Sequence, residues 1–210
     1  MSYNFTGMTT REKLSVALVL VGIIIAILPI GATRTLTGSP KQILLQSVSE
    51  DSEYTVDQVA RMLVSEDSTL RLIDIRPASE FMEFSIPGAI NIPYTEMIDR
   101  NPETYLLKGD MKNIFVSNGS LNAGYAIVIA AGLGYENCAI MKGGMNEWIN
   151  TVLNARFSGN VISARENALF EVRTRATRLF SEFNALPDSL KTKYLASKRF
   201  DPKKLDGGCE

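Results

Sequence analysis

The sequence predicts an α/β fold in which a parallel sheet is flanked by helices. The first observation is an apolar run of strand length, Leu70–Ile75, after which Pro77 prevents further ladder hydrogen bonding. The second is a short helical segment, Ala78–Phe84, that follows directly. The third is another apolar run, Ala89–Ile92, which Pro93 ends. Strand, helix and strand in such quick succession indicate a compact parallel sheet.

The composition limits the classes of protein to which the chain can belong. The chain has 210 residues, of which 45% are hydrophobic, so it can form one ordinary domain with extensions. Its net charge of −1 gives no bulk attraction to nucleic acid, and no nucleic-acid partner is expected. It has no histidine and only two cysteines, Cys138 and Cys209. We therefore expect no disulfide framework, no metal site and no cofactor.

The N-terminal region predicts a membrane anchor. Residues 1–13 form a short polar tail, and Leu14–Ile30 then runs without a charged residue. With the residues up to Thr33 added, this stretch just spans a hydrocarbon core of about 30 Å as a helix. A buried core helix would carry polar residues on one face, and a cleaved signal peptide would end in a small-x-small site. Because neither pattern is present, residues 14–33 are expected to be an uncleaved transmembrane helix in contact with membrane lipid.

Basic residues flank both ends of this stretch. Arg11 and Lys13 precede it, and Arg34 and Lys41 follow it, so the count is a tie under the positive-inside rule. The first pair lies closer to the span and the α-amino group adds to it, which favours an N-terminus in the cytoplasm. The expected location is then a single pass through a bacterial inner membrane, with the main domain facing the periplasm.

The next region divides into a linker and a globular domain. Residues 34–53 are rich in Thr, Ser, Gly and acidic residues, which is typical of a tether. Thr55 and Gln58 have capping-box spacing, which predicts the start of a helix. Further along, we predict a short helix over Tyr94–Asp99, a strand over Asn113–Val116, a helix over Ala123–Leu133, a strand over Cys138–Met141 and a helix that carries Trp148. These elements predict one domain over residues 54–155.

Two stretches of this domain resemble the signatures of rhodanese-like domains. The first holds, in the expected order, Asp74, Arg76, Glu80, Phe81, Pro87, Gly88, Ala89, Asn91, Ile92 and Pro93. Ser85 stands where this signature usually has a histidine. The second stretch runs from Leu133 to Trp148. The resemblance covers about half of the chain and implies the rhodanese-like parallel sheet.

The resemblance also implies a nucleophile that this chain lacks. Active members of the family begin the loop after the fourth strand with a cysteine and usually carry an arginine near its end. Aligned on Gly119, these positions hold Val116 and Leu121, and a loop shorter by one residue would begin with Ser117. A serine without a neighbouring general base is a poor nucleophile. The degenerate loop, which predicts no conventional sulfurtransferase activity, comprises Val116, Ser117, Asn118, Gly119, Ser120, Leu121 and Asn122.

The binding half of the site is expected to survive. Asp74 and Arg76 follow the carboxyl end of a predicted strand, where parallel sheets form their crevices. The loop leads into a helix whose first N–H groups can hold a small anion, and Asn122 can cap that helix. The candidates for crevice and anion binding are Asp74, Arg76, Ser117, Asn118, Gly119 and Asn122. The alternatives are a structural Asp74–Arg76 ion pair and an ordinary loop that binds nothing.

Residues 156–201 predict a helical extension. Asn160–Phe183 contains neither proline nor glycine and has an apolar stripe at helical spacing. Pro187 breaks the pattern, and Asp188–Lys198 predicts a second helix. One interpretation packs the first helix on the domain. The other places its arginines near anionic lipid or a membrane partner.

The last segment, residues 202–210, predicts a flexible tail with a thiol. Cys209 follows Gly207 and Gly208, whose backbone freedom lets the sulfur reach another protein's pocket. This Gly-Gly-Cys resembles the arm of Sox-type sulfur carriers. An incidental cysteine in a disordered tail is the alternative. Cys138, in contrast, lies inside an apolar strand and is expected to be a core residue.

Two functions of different classes follow from these observations. The first is sulfur trafficking, in which a membrane-anchored, catalytically degenerate protein relays sulfur through Cys209 to a membrane sulfur transporter or to a sulfurtransferase. The second is a non-catalytic module that binds a protein or an anion without sulfur chemistry of its own. A residual enzyme that uses Ser117 is a third interpretation.

Overall fold

The computed structural model describes residues 9–27, 41, 52–157 and 163–198. The chain separates into two compact units, Met1–Thr35 and Leu36–Glu210. The linker predicted for residues 34–53 and the tail predicted for residues 202–210 lie almost entirely or entirely outside the described residues.

The first unit contains one described helix, α1, over Thr10–Ile27. Its first turn is capped by Glu12, which accepts a hydrogen bond of 2.8 Å from the backbone N–H of Thr9. The transmembrane helix predicted for residues 14–33 is not supported, because within the described part of the chain no helix is both long enough and apolar enough to cross a membrane. Three of the 18 residues of α1 are charged, and its apolar remainder is shorter than the roughly 20 residues that a span needs. Residues 28–33 lie outside the described residues.

The second unit is built on the predicted parallel sheet. Its strands are β1 (Glu53–Tyr54), β2 (Leu70–Asp74), β3 (Ile90–Asn91), β4 (Lys112–Val116) and β5 (Cys138–Met141), in the order β1-β5-β4-β2-β3. Every described strand pair is parallel. Asp74 is in register with both Val116 and Asn91, so the carboxyl ends of the three strands meet at one edge of the sheet.

Helices cover both faces of this sheet. They are α2 (Val56–Val64), α3 (Ala78–Glu83), α4 (Ser120–Gly132), α5 (Gly144–Glu147), a π-helical turn (Trp148–Leu153), α6 (Ala164–Asn184) and α7 (Asp188–Lys198), with 3-10 turns at Tyr94–Glu96 and Pro102–Thr104. The capping box predicted at the start of α2 is present, with the Thr55 N–H donating to Oε1 of Gln58 at 2.7 Å. Ser163 and Glu166 form a second capping box, which fixes the start of α6.

Two apolar clusters hold the sheet between these helices. Successive strand residues point to opposite faces, so Leu72 belongs to one cluster and Ile73 to the other. The first cluster includes α2, the Trp148 turn and α6, and the second includes α4 and the Met97 segment. The α/β fold with a parallel sheet between helices is therefore confirmed.

The helical extension packs on the domain, as the first of its two interpretations requires. Arg173 of α6 makes two hydrogen bonds of 2.7 Å to the carboxylate of Asp57 in α2. Thr177 donates to the carbonyl of Val152 at 3.0 Å, and Ala176 is fully buried. α6 thus completes the core on one face of the sheet.

Candidate functional site

The candidate site lies at the carboxyl edge of β2 and β4. Asp74 and Val116 are the last residues of these strands and are paired in register. The backbone N–H of Ile75 donates to the carbonyl of Val116 at 2.9 Å. The two predicted parts of the site, the Asp74–Arg76 pair and the loop after Val116, are therefore brought together.

Asp74 and Arg76 form a buried, two-pronged ion pair. Nε of Arg76 donates to Oδ1 of Asp74 at 3.0 Å, and a terminal nitrogen donates to Oδ2 at 2.7 Å. Both side chains are 1% exposed. Burial raises the pKa of Asp74, and the hydrogen bonds and charge of Arg76 oppose that rise. The carboxylate is already used within the chain, which favours the structural interpretation of this pair.

Arg76 also fixes the turn that follows α3. Its Nη2 donates to the carbonyl of Phe84 at 2.8 Å, and its guanidinium lies 5.0 Å from the centre of the Phe84 ring. Nη1 is buried and has no hydrogen-bond partner among the described residues. The amide of Asn91 donates to the carbonyls of Asp74 and Arg76 at 3.0 and 2.9 Å. These contacts explain why the motif contains both Arg76 and Asn91, because each side chain forms hydrogen bonds with backbone carbonyls of the same region.

Residue Val116, at the expected nucleophile position, is 1% exposed and belongs to the core cluster that contains Trp148. An aliphatic side chain offers neither a lone pair nor an ionisable proton. In this register the loop therefore begins with a packing residue.

Ser117, the alternative first residue of the loop, is also buried, at 3% exposure. Its hydroxyl donates to the carbonyl of Gly119, so the O–H is used inside the loop. The carbonyl of Ser117 accepts from the N–H of Met145 at 2.8 Å. A buried serine with its proton bonded to a carbonyl is not prepared for nucleophilic attack, and this geometry gives no support to the interpretation as a residual enzyme.

Gly144 lets the loop lie directly on the start of α5. Its φ is +60°, and a Cβ at this position would lie 2.3 Å from the carbonyl oxygen of Ser117. The N–H of Asn146 donates to the carbonyl of Asn118 at 3.2 Å. The loop carbonyls are therefore turned towards α5, which holds the loop in a fixed shape.

Side chains at the end of the loop connect it to two other elements. Nδ2 of Asn118 donates to Glu80 of α3 at 2.7 Å, and the hydroxyl of Ser120 accepts from the N–H of Gly143 at 2.9 Å. The predicted cap by Asn122 is wrong, because α4 begins earlier and its N-cap is Gly119, without a side-chain hydrogen bond. Asn122 is an exposed residue of the first turn. The first N–H groups of α4 thus lack a side-chain cap.

Comparison with known proteins identifies the domain. Residues 55–151 match the family described as the rhodanese-like domain. The chain contains a rhodanese-like domain. It is similar to the thiosulfate:glutathione sulfurtransferase of Saccharomyces cerevisiae, with 27% identity over 119 residues, which are 50% of this chain and 83% of that protein. It is also similar to the mitochondrial thiosulfate sulfurtransferase RDL2 of the same yeast, with 26% identity over 129 residues, 56% of this chain and 87% of that protein.

The human single-domain sulfurtransferase TSTD1 is a solved structure with a similar fold. It shares 23% identity with this chain and superposes with a TM-score of 0.42 over 48% of this chain and 96% of its own length. The two yeast sequence matches show that the rhodanese-like domain has sulfurtransferase homologues.

The sequence did not indicate an exposed apolar face beside the loop of the rhodanese-like domain. Leu121, Tyr125 and Val128 lie on one side of α4 and are 70%, 50% and 40% exposed. The only available signal was that α4 contains no charged residue. That pattern fits a helix buried on all sides equally well, so it could not distinguish an exposed apolar face from a core helix.

Cys138 is a core residue of the rhodanese-like domain, as the sequence predicts. It lies in β5 and is 5% exposed. Burial raises the pKa of its thiol to about 12, so the sulfur stays protonated and unreactive near neutral pH. Cys209 lies outside the described residues. In the described part of the chain, no group of three or more acidic or cysteine side chains could hold a metal ion.

Proposed function

We propose that this chain is a sulfur-trafficking protein whose rhodanese-like domain no longer supplies the nucleophile and whose sulfur is carried by Cys209. The observation that carries this proposal is the burial of Val116 at the nucleophile position. Support also comes from Cys138, whose thiol is buried in β5 and has a pKa of about 12. With that thiol unreactive, Cys209 is the one remaining cysteine of the sequence.

The loop is proposed to bind the anionic sulfur donor. α4 is 13 residues long and begins at Ser120 without a side-chain cap. Its first N–H groups can therefore donate to an anion, and the helix dipole favours negative charge at this end. Asn118 and Ser120, which bond to Glu80 and to the Gly143 N–H, hold the loop in shape. Asp74 and Arg76 support the strand edge beneath it.

The proposed chemistry is a sulfur transfer without net oxidation. The Cys209 thiolate attacks the outer sulfur of thiosulfate, and a new S–S bond forms at Cys209. The bond between the two thiosulfate sulfurs breaks, and sulfite leaves with the electron pair. An acceptor thiolate then attacks the outer sulfur of the Cys209 persulfide, and Cys209 leaves as a thiolate. Thiosulfate is chosen as the donor because it is named for both yeast relatives.

Intact mass spectrometry of the full-length protein tests this proposal. After incubation with thiosulfate or polysulfide, wild type is expected to gain the mass of sulfur, and a reducing thiol should remove it. Cys209→Ala is expected to gain nothing, whereas Cys138→Ala should behave as wild type. If wild type gains no sulfur from any donor, the proposal is wrong.

A second candidate function is a binding module without sulfur chemistry. The observation that favours it is the exposed apolar face of α4 formed by Leu121, Tyr125 and Val128, because exposed apolar patches mark interaction sites. Capture of a partner that is lost in Leu121→Ser but unchanged in Cys209→Ala would support this function. The reverse result would support sulfur carrying.

The location and partners expected from the sequence stay predictions. They are a bacterial inner membrane, a periplasmic domain, and a membrane sulfur transporter or a sulfurtransferase as partner. Fractionation of cells that express the full-length chain tests the location, and the sulfur-carrying step does not depend on its outcome.

A further inference from the structure

An apolar groove of about 320 Å³ lies at the edge of the sheet that β3 forms. We name it the edge groove. Its walls come from α3, β3 and α7, and its apolar lining includes Phe81, Met82, Ala89, Ile90, Leu195 and Ala196. Met82 is 40% exposed there, although it is a large apolar residue. The groove therefore offers apolar surface that the described residues do not cover.

The position of α7 brings the next segment of the chain to this groove. Thr192 and Ala196 line the groove and are four residues apart, so they lie on the same face of α7. Phe200 is the next residue in this series, and α7 ends at Lys198. Pro202 then disfavours helical continuation. The chain that leaves α7 therefore starts beside the groove, and Phe200 is the last aromatic residue of the sequence.

We propose that the segment 199–202 docks in the edge groove with Phe200 as its anchor. An aromatic side chain supplies apolar surface that can cover Met82, which is 40% exposed at the groove. The segment is attached to α7, so its effective concentration at the groove is in the millimolar range, well above that of a second molecule in dilute solution. This covalent attachment favours the chain's own segment over another copy.

Docking at Phe200 gives Cys209 a defined starting point, and this consequence rests on the proposed function. Asn91 lines the groove and pairs with Asp74, which pairs with Val116 on its other side. Two strand spacings, about 10 Å, therefore separate the groove from the start of the loop. Nine residues lead from Phe200 to Cys209, and a flexible segment of that length spans about 16 Å on average. Cys209 can thus reach a donor anion held by the loop of its own molecule.

The rate of Met82 oxidation in the full-length chain tests the docking. Hydrogen peroxide is the probe, and peptide mass spectrometry follows each methionine, with Met62 of α2 as an internal reference. In Phe200→Ser we expect Met82 to be oxidised about fivefold faster than in wild type, because a docked aromatic residue shields its sulfur. Phe200→Leu should retain most of the protection. Ala196→Glu, which places a charge in the groove from the α7 side, should also increase the rate.

A matched control lies in the same segment. Leu205→Ser removes the other large apolar side chain of the tail and is expected to leave the Met82 rate at its wild-type value. Equal Met82 rates in wild type and Phe200→Ser would overturn the proposal. A loss of protection in Leu205→Ser as large as that in Phe200→Ser would overturn Phe200 as the anchor. Protection that increases with protein concentration would assign the groove to a second copy and overturn the intramolecular occupant.

The oxidation experiment uses no sulfur donor, so it separates the docking from the proposed function. Fast oxidation of Met82 together with a sulfur adduct on Cys209 would reject the docking and retain the carrier. Protection of Met82 without any adduct would retain the docking and reject the carrier.

Discussion

The Asp74–Arg76 pair and the loop Ser117–Asn122 lie on neighbouring strands of one sheet, but they use their polar groups differently. The pair is 1% exposed, and its two opposite charges are paired with each other. The loop turns its carbonyls to α5, leads into a helix without a side-chain cap and has Leu121 70% exposed at its end. The Asp74–Arg76 pair is thus engaged within the chain, whereas the loop retains groups that can contact a ligand or a partner.

This difference shows which parts of the motif depend on chemistry and which on packing. Asp74, Arg76 and Asn91 satisfy backbone groups of the turn, so the fold needs them whether or not a reaction takes place. A nucleophile at the Val116 position has no such role. An aliphatic side chain there extends the core cluster instead. In this rhodanese-like domain, position 116 therefore contributes to packing.

The largest effect is expected from Asp74→Ala, which removes the carboxylate of the buried ion pair. It leaves the Arg76 guanidinium buried without its carboxylate, and we expect the free energy of unfolding to fall by about 4 kcal/mol. Urea unfolding measures the loss. Glu96→Gln, which removes the carboxylate from the half-exposed Glu96–Arg100 ion pair, is the control and should cost less than about 1 kcal/mol. Similar losses for both variants would contradict the structural role of Asp74.

Gly144→Ala tests the contact that shapes the loop. The positive φ and the overlap with the Ser117 carbonyl should together lower the free energy of unfolding by about 3 kcal/mol. Gly124→Ala in α4 is the matched control, because its new methyl group would meet nothing within 4 Å. That variant should be more stable than wild type by about 0.5–1 kcal/mol. A Gly144→Ala protein of wild-type stability would mean that α5 does not hold the loop.

A third variant, Asn184→Ala, tests the connection between the extension and the Arg76 turn. The amide of Asn184 accepts from the Ser85 N–H at 3.0 Å and donates to the Ser85 carbonyl at 2.9 Å. Removing it leaves both backbone groups without this partner, which should cost about 2 kcal/mol in thermal or urea unfolding. Asn122→Ala, an exposed change in α4, should cost less than about 0.5 kcal/mol. Equal losses of stability in the two variants would mean that Asn184 of α6 does not stabilise the turn.

The smallest effect is expected for the alkylation of Cys138 in the folded protein. Because burial raises the pKa of its thiol to about 12, Cys138 stays almost entirely protonated at pH 8. Iodoacetamide should therefore leave Cys138 unmodified in the folded protein and modify it after unfolding in urea. Cys209 serves as the comparison within the same sample. Rapid modification of Cys138 in the folded protein would show that β5 opens readily.

Much of the fold could be predicted from the sequence because its strands and breakers are local signals. The apolar runs before Pro77 and Pro93 form β2 and β3, as predicted, and the capping box at Thr55 starts α2. The start of α4 was placed too late, since Gly119 caps it without a side-chain signature. The span predicted for residues 14–33 was counted from Leu14 to Thr33, whereas the described helix runs over Thr10–Ile27 and carries three charges in its first turn.

The candidate site was predictable in its residues but not in its contacts. The motif placed Asp74 beside the loop, and the structure brings them to one edge. The burial of Ser117, the pairing of Asn184 with Ser85 and the exposure of Leu121 depend on residues far apart in the sequence. Such contacts have no local pattern, so only the structure could show them.

The location of transferred sulfur within one chain shows directly whether Cys209 is the sulfur carrier. Full-length protein would be treated with thiosulfate, trapped by alkylation and digested, and the peptides of Cys138 and Cys209 compared by mass spectrometry. The extra sulfur is predicted on Cys209, none on Cys138, and none anywhere in Cys209→Ala. Sulfur on Cys138, or an adduct that persists in Cys209→Ala, would mean that Cys209 is not the carrier.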